Sequence, residues 1–187
     1  MKFYVCRIIF SALLLSLPNG IAQDKLTSHL KAAPIAARPQ DVSSPEAAVK
    51  ADYECISGGI GVPRQWARDF TLYDPYARSF TPHKDKKTGV LAIWNPTQQE
   101  YADATDAEFV ATGFSEHELA YKISRYGNVA TVFSSYEGIQ ASTGKVLGRG
   151  VNIYQLYFAQ NRWWISSVSW DGENPINPVP PDLLPKN

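Results

Sequence analysis

From Phe114 to Asp171 the chain is a succession of four β-rich runs, Phe114–Tyr126, Asn128–Gly138, Gly148–Ala159 and Arg162–Asp171. Only short turn-forming clusters separate them: Tyr126-Gly127-Asn128, Ser142-Thr143-Gly144 and Gln160-Asn161. Connections this tight leave no room for a crossover, so neighbouring runs must pair antiparallel. This part of the chain is therefore a meander of long strands, and it holds 11 of the 23 aromatic residues. Such a sheet has to bury one face, and what precedes it in sequence has to supply the cover.

The preceding residues read as helices. Ser44 caps a first helix, with Pro45 at the first helical position and Glu46 at the positive end of the dipole. Val49, Tyr53 and Ile56 recur at helical spacing, and Ser57-Gly58-Gly59 stops the helix. A second helix is expected from about Arg64 to Tyr73, with Trp66, Phe70 and Tyr73 on one face and Asp74-Pro75 ending it. Between Ala77 and Trp94 the pattern predicts short extended pieces around a turn at Lys86–Gly89. Asn95 or Thr97 caps a third helix carrying Tyr101, Thr105 and Phe109, which Gly113 closes. Three helices followed by antiparallel strands make the fold class α+β, with the helices packed on one face of a curled, mainly antiparallel sheet.

The ends of the chain have a different character. Lys2 and Arg7, the apolar run Ile8–Leu17 and the small residues Gly20-Ile21-Ala22 form the three parts of a secretory signal peptide over residues 1–22. That run is too short to span a bilayer, which needs about 20 apolar residues. The expected localisation is export, to the periplasm or the medium, with no membrane association after cleavage. Residues 23–43 read as a flexible tether, 44–173 as the folded domain, and 174–187 as a Pro-rich tail that cannot pair in a sheet. Cleavage leaves Cys55 as the one cysteine, so no intramolecular disulfide forms. Its apolar helical surroundings make it a buried small hydrophobe rather than a nucleophile. Loss of the signal's two basic residues takes the net charge from 0 to −2. No basic patch is left to meet nucleic acid.

Three stretches carry a resemblance. They are Ile56-Ser57-Gly58-Gly59 with Arg64-Gln65-Trp66-Ala67-Arg68-Asp69-Phe70, then Tyr126-Gly127-Asn128-Val129-Ala130-Thr131-Val132-Phe133-Ser134-Ser135-Tyr136-Glu137, and Arg149-Gly150-Val151-Asn152 continuing to Arg162-Trp163-Trp164-Ile165 and Trp170-Asp171. In these, from about Ser44 to Leu184, the chain resembles the SnoaL-like bacterial branch of the nuclear transport factor 2-like superfamily. The resemblance implies a cone in which a curled sheet wraps the helices around an open-mouthed pocket, and a homodimer through the outer sheet face. The superfamily spans isomerases, dehydratases, cyclases, epoxide hydrolases and non-catalytic pockets, and one fold hosting so many chemistries does not choose among them.

Within such a cone, chemistry needs a polar group in an apolar pocket and a donor for developing negative charge. His117 and Glu118 are the candidate acid/base residues. Being adjacent on a strand they point to opposite faces, and His117 shares its parity with Leu119, Tyr121 and Ile123, which leans it toward the pocket. Trp66, Tyr136, Arg149, Asn152 and Trp170 are the candidate ligand-binding residues. Tyr136 lies in register with Ala130, Val132 and Ser134, whose small side chains leave space. Each has a structural alternative: a hydrogen-bonded His117 at the rim, ring packing for Tyr136 and the tryptophans, and pairing of Arg149 with Glu118 or Glu137. There is no Gly-rich phosphate loop, Cys/His cluster or Gly-x-Ser-x-Gly elbow, so no cofactor and no metal are expected. The reading is an exported pocket protein for a small, mostly apolar molecule. The alternatives are a lyase, isomerase or hydrolase using an acid/base residue in the cone, and a non-catalytic dimeric interaction domain.

Overall fold

The computed structural model describes residues 35–85 and 87–185, so the signal segment and residues 23–34 lie outside it. Helix α1 spans Pro45–Ile56, and the Ser44 hydroxyl accepts from the Ala47 amide at 3.1 Å as its cap. Its buried stripe, Ala48, Val49, Asp52, Tyr53 and Ile56, turns to the sheet. The chain leaves α1 through Gly58, which exchanges two backbone hydrogen bonds with Phe114. A Cβ at Gly58 would lie 1.7 Å from Arg64 Nη1, so only glycine fits beside that guanidinium.

The second helix departs from expectation. Helix α2 is a single turn, Trp66–Asp69, and Tyr73 already begins strand β1, Tyr73–Lys84. Trp66, Phe70 and Tyr73 have helical spacing, but the Leu72 carbonyl is taken by the Ile165 amide, and Tyr73 pairs with Ile165 across the sheet. Tertiary pairing thus overrides the local period. β1 pairs antiparallel with β2, Leu91–Trp94, and parallel with the last strand of the meander. Its register breaks between Tyr73 and Arg78, where Pro75 has no amide to donate. Helix α3, Gln98–Thr112, opens on a capping box in which Thr97 and Glu100 each bond the other's backbone amide. It ends at Gly113, whose φ of 68° suits glycine.

The meander is β3 Phe114–Tyr126, β4 Val129–Gln140, β5 Lys145–Ala159 and β6 Arg162–Gly172. The β5–β6 turn places Gln160 and Asn161 at φ 54° and 60°, a primed hairpin turn that matches the strand twist. The fold is α+β, but its sheet has six strands in the order β2-β1-β6-β5-β4-β3, two more than the meander. These two are the extended pieces expected between Ala77 and Trp94, with β1 starting four residues earlier, at Tyr73.

Register shifts at Glu118/Ala120, Gly138/Ile139 and Gln155/Leu156 help curl the sheet. Its inner face brings Ala130, Val132, Tyr154, Leu156, Trp163 and Ile165 against Ala48, Val49, Tyr53 and Cys55 of α1. Residues 39–42 form a 3₁₀ turn in which Asp41 and Val42 are buried, and Arg68 clasps Asp41 bidentately at 2.7 and 2.9 Å. The C-terminal segment crosses the outer face. Val179 and Leu183 are buried there, and the Leu183 carbonyl accepts from the Ser135 hydroxyl.

Candidate functional site

Helices α1 and α3 close over the inner face of β1, β6, β5 and β4 and leave a cavity of about 70 Å³. Its floor is buried: Asp52, Tyr73, Ser79, Asn152, Tyr154 and Val168. Its rim is the half-buried set Gln98, Tyr101, Glu116, Tyr136 and Trp170. Aromatic walls therefore surround a polar floor, in a space that seats a group of a few non-hydrogen atoms.

The floor is organised by two carboxyl groups. Asp52 sits on the apolar stripe of α1 and accepts from Tyr73 Oη at 2.8 Å and Tyr154 Oη at 2.7 Å. Asp69, wholly buried at the end of α2, accepts from the Gln98 amide through Oδ2, while its Oδ1 has no hydrogen-bond partner. Burial raises both, and the Asp52 charge raises Asp69 further, well above the usual carboxylate range. Of the two, Asp69 is the carboxyl held more firmly in its protonated form. The same burial, with Asp69 and Asp52 nearby, pushes the Cys55 thiol up, so it stays a neutral core group.

Glu116 is the titratable group at the rim. Its backbone amide and carbonyl both bond the Ser57 hydroxyl, at 2.9 and 3.0 Å, which pins β3 to the end of α1. Its carboxyl accepts from Asn152 Nδ2 at 3.1 Å, and the same amide reaches Tyr53 Oη at 3.0 Å. Burial pushes Glu116 up to about 8, against which the Asn152 bond is a smaller, lowering influence. Tyr136 shares the rim, its phenol held protonated by burial and by the Glu116 charge. Gly150 lies directly across from Tyr136 on β5, and a Cβ there would meet Tyr136 Oη at 2.6 Å. The absence of a side chain at 150 is what lets the tyrosine ring lie in the cavity. With both Asn152 amide hydrogens spent on Glu116 and Tyr53, the arrangement offers a hydroxyl donor and a carboxyl able to exchange a proton near neutrality.

Of the residues singled out from sequence, the structure brings Tyr136, Asn152 and Trp170 to this cavity. Trp66 stands behind it: its indole donates to Asp106 at 2.6 Å and it packs edge-on against Tyr101, which in turn packs on Trp170. Arg149 is on the other side of the sheet and pairs with Glu173 at 2.9 Å rather than with Glu118 or Glu137.

His117 is a correction. It is exposed, 3.6 Å from Glu137, because the bulge at Leu119 reverses the facing of the strand. Before the bulge Glu116 and Glu118 face inward, and after it Tyr121 and Ile123 do. Glu118 lines not this cavity but a groove beside α1. The same effect at Ser166 puts Trp163, Ile165, Val168 and Trp170 on one face despite their mixed parity. Sequence reasoning passed over Glu116, Asp52 and Asp69. Asp52 had a legible signal, an acid in the apolar stripe of a helix between Ala48 and Ile56. Among the described residues no group of three His, Cys, Asp or Glu side chains is arranged to hold a metal ion.

No protein-family model and no curated protein matches the chain. Solved structures do. A protein of unknown function with a cystatin-like fold from Nostoc punctiforme superposes with a TM-score of 0.51 at 8% identity, over 73% of this chain and 98% of its own. A nuclear transport factor 2-like protein of unknown function from Methylobacillus flagellatus gives 0.46 at 16%, over 67% and 86%. A protein of unknown function from Mycobacterium tuberculosis gives 0.46 at 19%, over 64% and 70%. Likeness at such identities is one of fold. With its curled sheet closed over α1, the chain shares the cystatin-like fold of the Nostoc protein.

Proposed function

We propose that this is an exported protein that holds a small, mostly apolar molecule by one hydrogen-bonding end in the cavity between α1, α3 and the sheet. The observation that carries the reading is the convergence of Tyr136, Asn152 and Glu116 at the rim of an aromatic-walled hollow. A carbonyl or hydroxyl oxygen seated there meets the Tyr136 hydroxyl, beside a Glu116 carboxyl that Asn152 holds in place, while Trp170 and Tyr101 cover the attached carbon. Native mass spectrometry of the purified chain tests it. A non-covalent adduct that disappears on denaturation is expected, with occupancy falling in Tyr136→Phe. A chain that arrives empty, and stays empty when offered small ketones and phenols, sinks the reading. Export is part of the same proposal, supported by the signal pattern of residues 1–22, and intact mass after secretion checks cleavage near Ala22.

A second reading is favoured by Glu116 alone. A carboxyl titrating near 8 beside a neutral phenol fits proton transfer at carbon next to a carbonyl, as in a lyase or isomerase. Deuterium uptake at the α-carbon of cyclohexanone in D₂O is the assay. Acceleration lost in Glu116→Gln supports turnover, and a rate equal to buffer alone leaves binding. Pairing of two copies through the outer sheet face is the associated proposal on assembly. It is supported by the exposed Phe80, Ile93 and Phe133, and mass from light scattering decides it.

A further inference from the structure

On the far side of Glu116 and Tyr53 from the inner cavity, α1 and β3 enclose a larger groove of about 680 Å³. That is within the range of small-molecule sites, roughly 300–1,000 Å³. Its walls are mainly apolar, formed by Ala47, the Lys50 stem, Tyr53 at the base and the ring of Tyr121, which is 51% exposed. Into it project the carboxyls of Glu46, Glu54, Glu116 and Glu118. The lysine of the lining, Lys50, is paired with Glu54 one helical turn on, and the His117 ring stands 3.6 Å from Glu137. Glu54 also receives Arg68 at 2.8 Å. Glu46, Glu116 and Glu118 are left without a cation.

Glu118 is the informative one. Its Oε1 is sealed from solvent and has no hydrogen-bond partner. Burial raises its pKa, and the neighbouring Ser134 hydroxyl offsets only part of that. A buried carboxyl oxygen left unmatched costs free energy that an incoming donor or cation recovers. Next to it stand two phenol rings whose faces attract positive charge.

We propose that the α1–β3 groove binds a monovalent organic cation, an amine or quaternary ammonium compound, with Glu118 as its counter-charge and the rings of Tyr121 and Tyr53 around its head. This is a separate site from the inner cavity and does not depend on what that cavity holds. A neutral alcohol offers Glu118 one hydrogen bond but no charge, and anions meet Glu46 and Glu118 with no cation beside them.

The experiment compares three probes of similar size on the folded chain at pH 8: benzyltrimethylammonium, benzyl alcohol and benzoate, by calorimetry and by amide chemical shifts. The cation is expected to bind at least about tenfold more tightly than the alcohol, and benzoate not to bind, as charge and cation–π recognition require. Shifts should be confined to Ser44–Ser57 and Glu116–Tyr121. Glu118→Gln should weaken the cation about tenfold and Tyr121→Ala about threefold, with little effect on the alcohol. Equal affinity for cation and alcohol overturns the proposal. So does a folded Glu118→Gln that binds the cation like the parent, or shifts that map to the inner cavity. Should Glu118→Gln not fold, the exposed Tyr121→Ala and the probe series on the unaltered chain still decide it.

Discussion

Glu116 is fixed at both ends, its backbone to Ser57 and its carboxyl to Asn152, so its charge is altered by substitution without moving the strand. Its value is raised from the ordinary 4.5 to about 8 in the folded chain. Between those two values the folded state keeps a proton that the unfolded state has released. Stability contributed through this group is therefore lost as pH rises from about 4.5 to 8, and is level above that. Glu116→Gln should be nearly neutral at pH 4.5 and more stable than the parent by on the order of 3 kcal/mol at pH 9, read by urea unfolding at both values. The carboxyl pair in the floor gives a contrasting expectation. Asp69→Asn keeps an acceptor for the Gln98 amide and removes a buried acid, and should cost less than about 1 kcal/mol. Asp52→Ala strips the acceptor from Tyr73 and Tyr154 and should cost about 2–4 kcal/mol in the same unfolding assay.

At the scale of elements, the extra residue at Leu119 decides which side chains of β3 face the helices. Deleting it would force either Glu116 and Glu118 outward or Tyr121 and Ile123 outward. The expected result is a melting temperature lower by more than about 10 °C, a loss of several kcal/mol. Unchanged melting would mean that the strand absorbs the deletion elsewhere. This bulge also shows where sequence reading reached its limit. Caps, turns and strand ends are local chemistry: Ser44, Thr97, Gly113, Gly127 and the Gln160-Asn161 turn were all legible, and β3 came out residue for residue. Facing is a count along a strand, and one uncounted residue reversed it for His117. Tyr136 and Asn152 lie on stretches of β4 and β5 without such a slip between them and Ser134, so their common face was readable. The later part of β1 and β2 were readable as extended pieces, but the pairing of β1 with β6 was not, because β6 is some 90 residues further along and the pattern of β1 is broken by Pro75 and Pro82.

For the whole molecule, the two ends of the described chain act as clasps on opposite faces. Removing residues 23–38 should leave the melting temperature unchanged. Extending the deletion through Ser43 removes Val42 and leaves Arg68 without Asp41, at a cost of about 3 kcal/mol. Truncation after Asn177 uncovers the surface under Val179 and Leu183 and should both lower the melting temperature by several degrees and promote self-association, seen by light scattering. The parallel seam between β1 and β6 has a different kind of consequence, one of timing. Every other strand pair joins neighbours in sequence, so each can zip as soon as its turn forms, within microseconds. The β1–β6 seam must close a loop spanning the entire meander, and until β6 exists β1 has only the short β2 beside it. In pulse-labelling during refolding, the amide of Phe80 on that seam should gain protection after that of Ser79, which bonds the Pro96 carbonyl instead. A chain emerging from the ribosome therefore has its sheet in two separate parts until β6 is made, and until then stays slack enough to be threaded lengthwise through a pore.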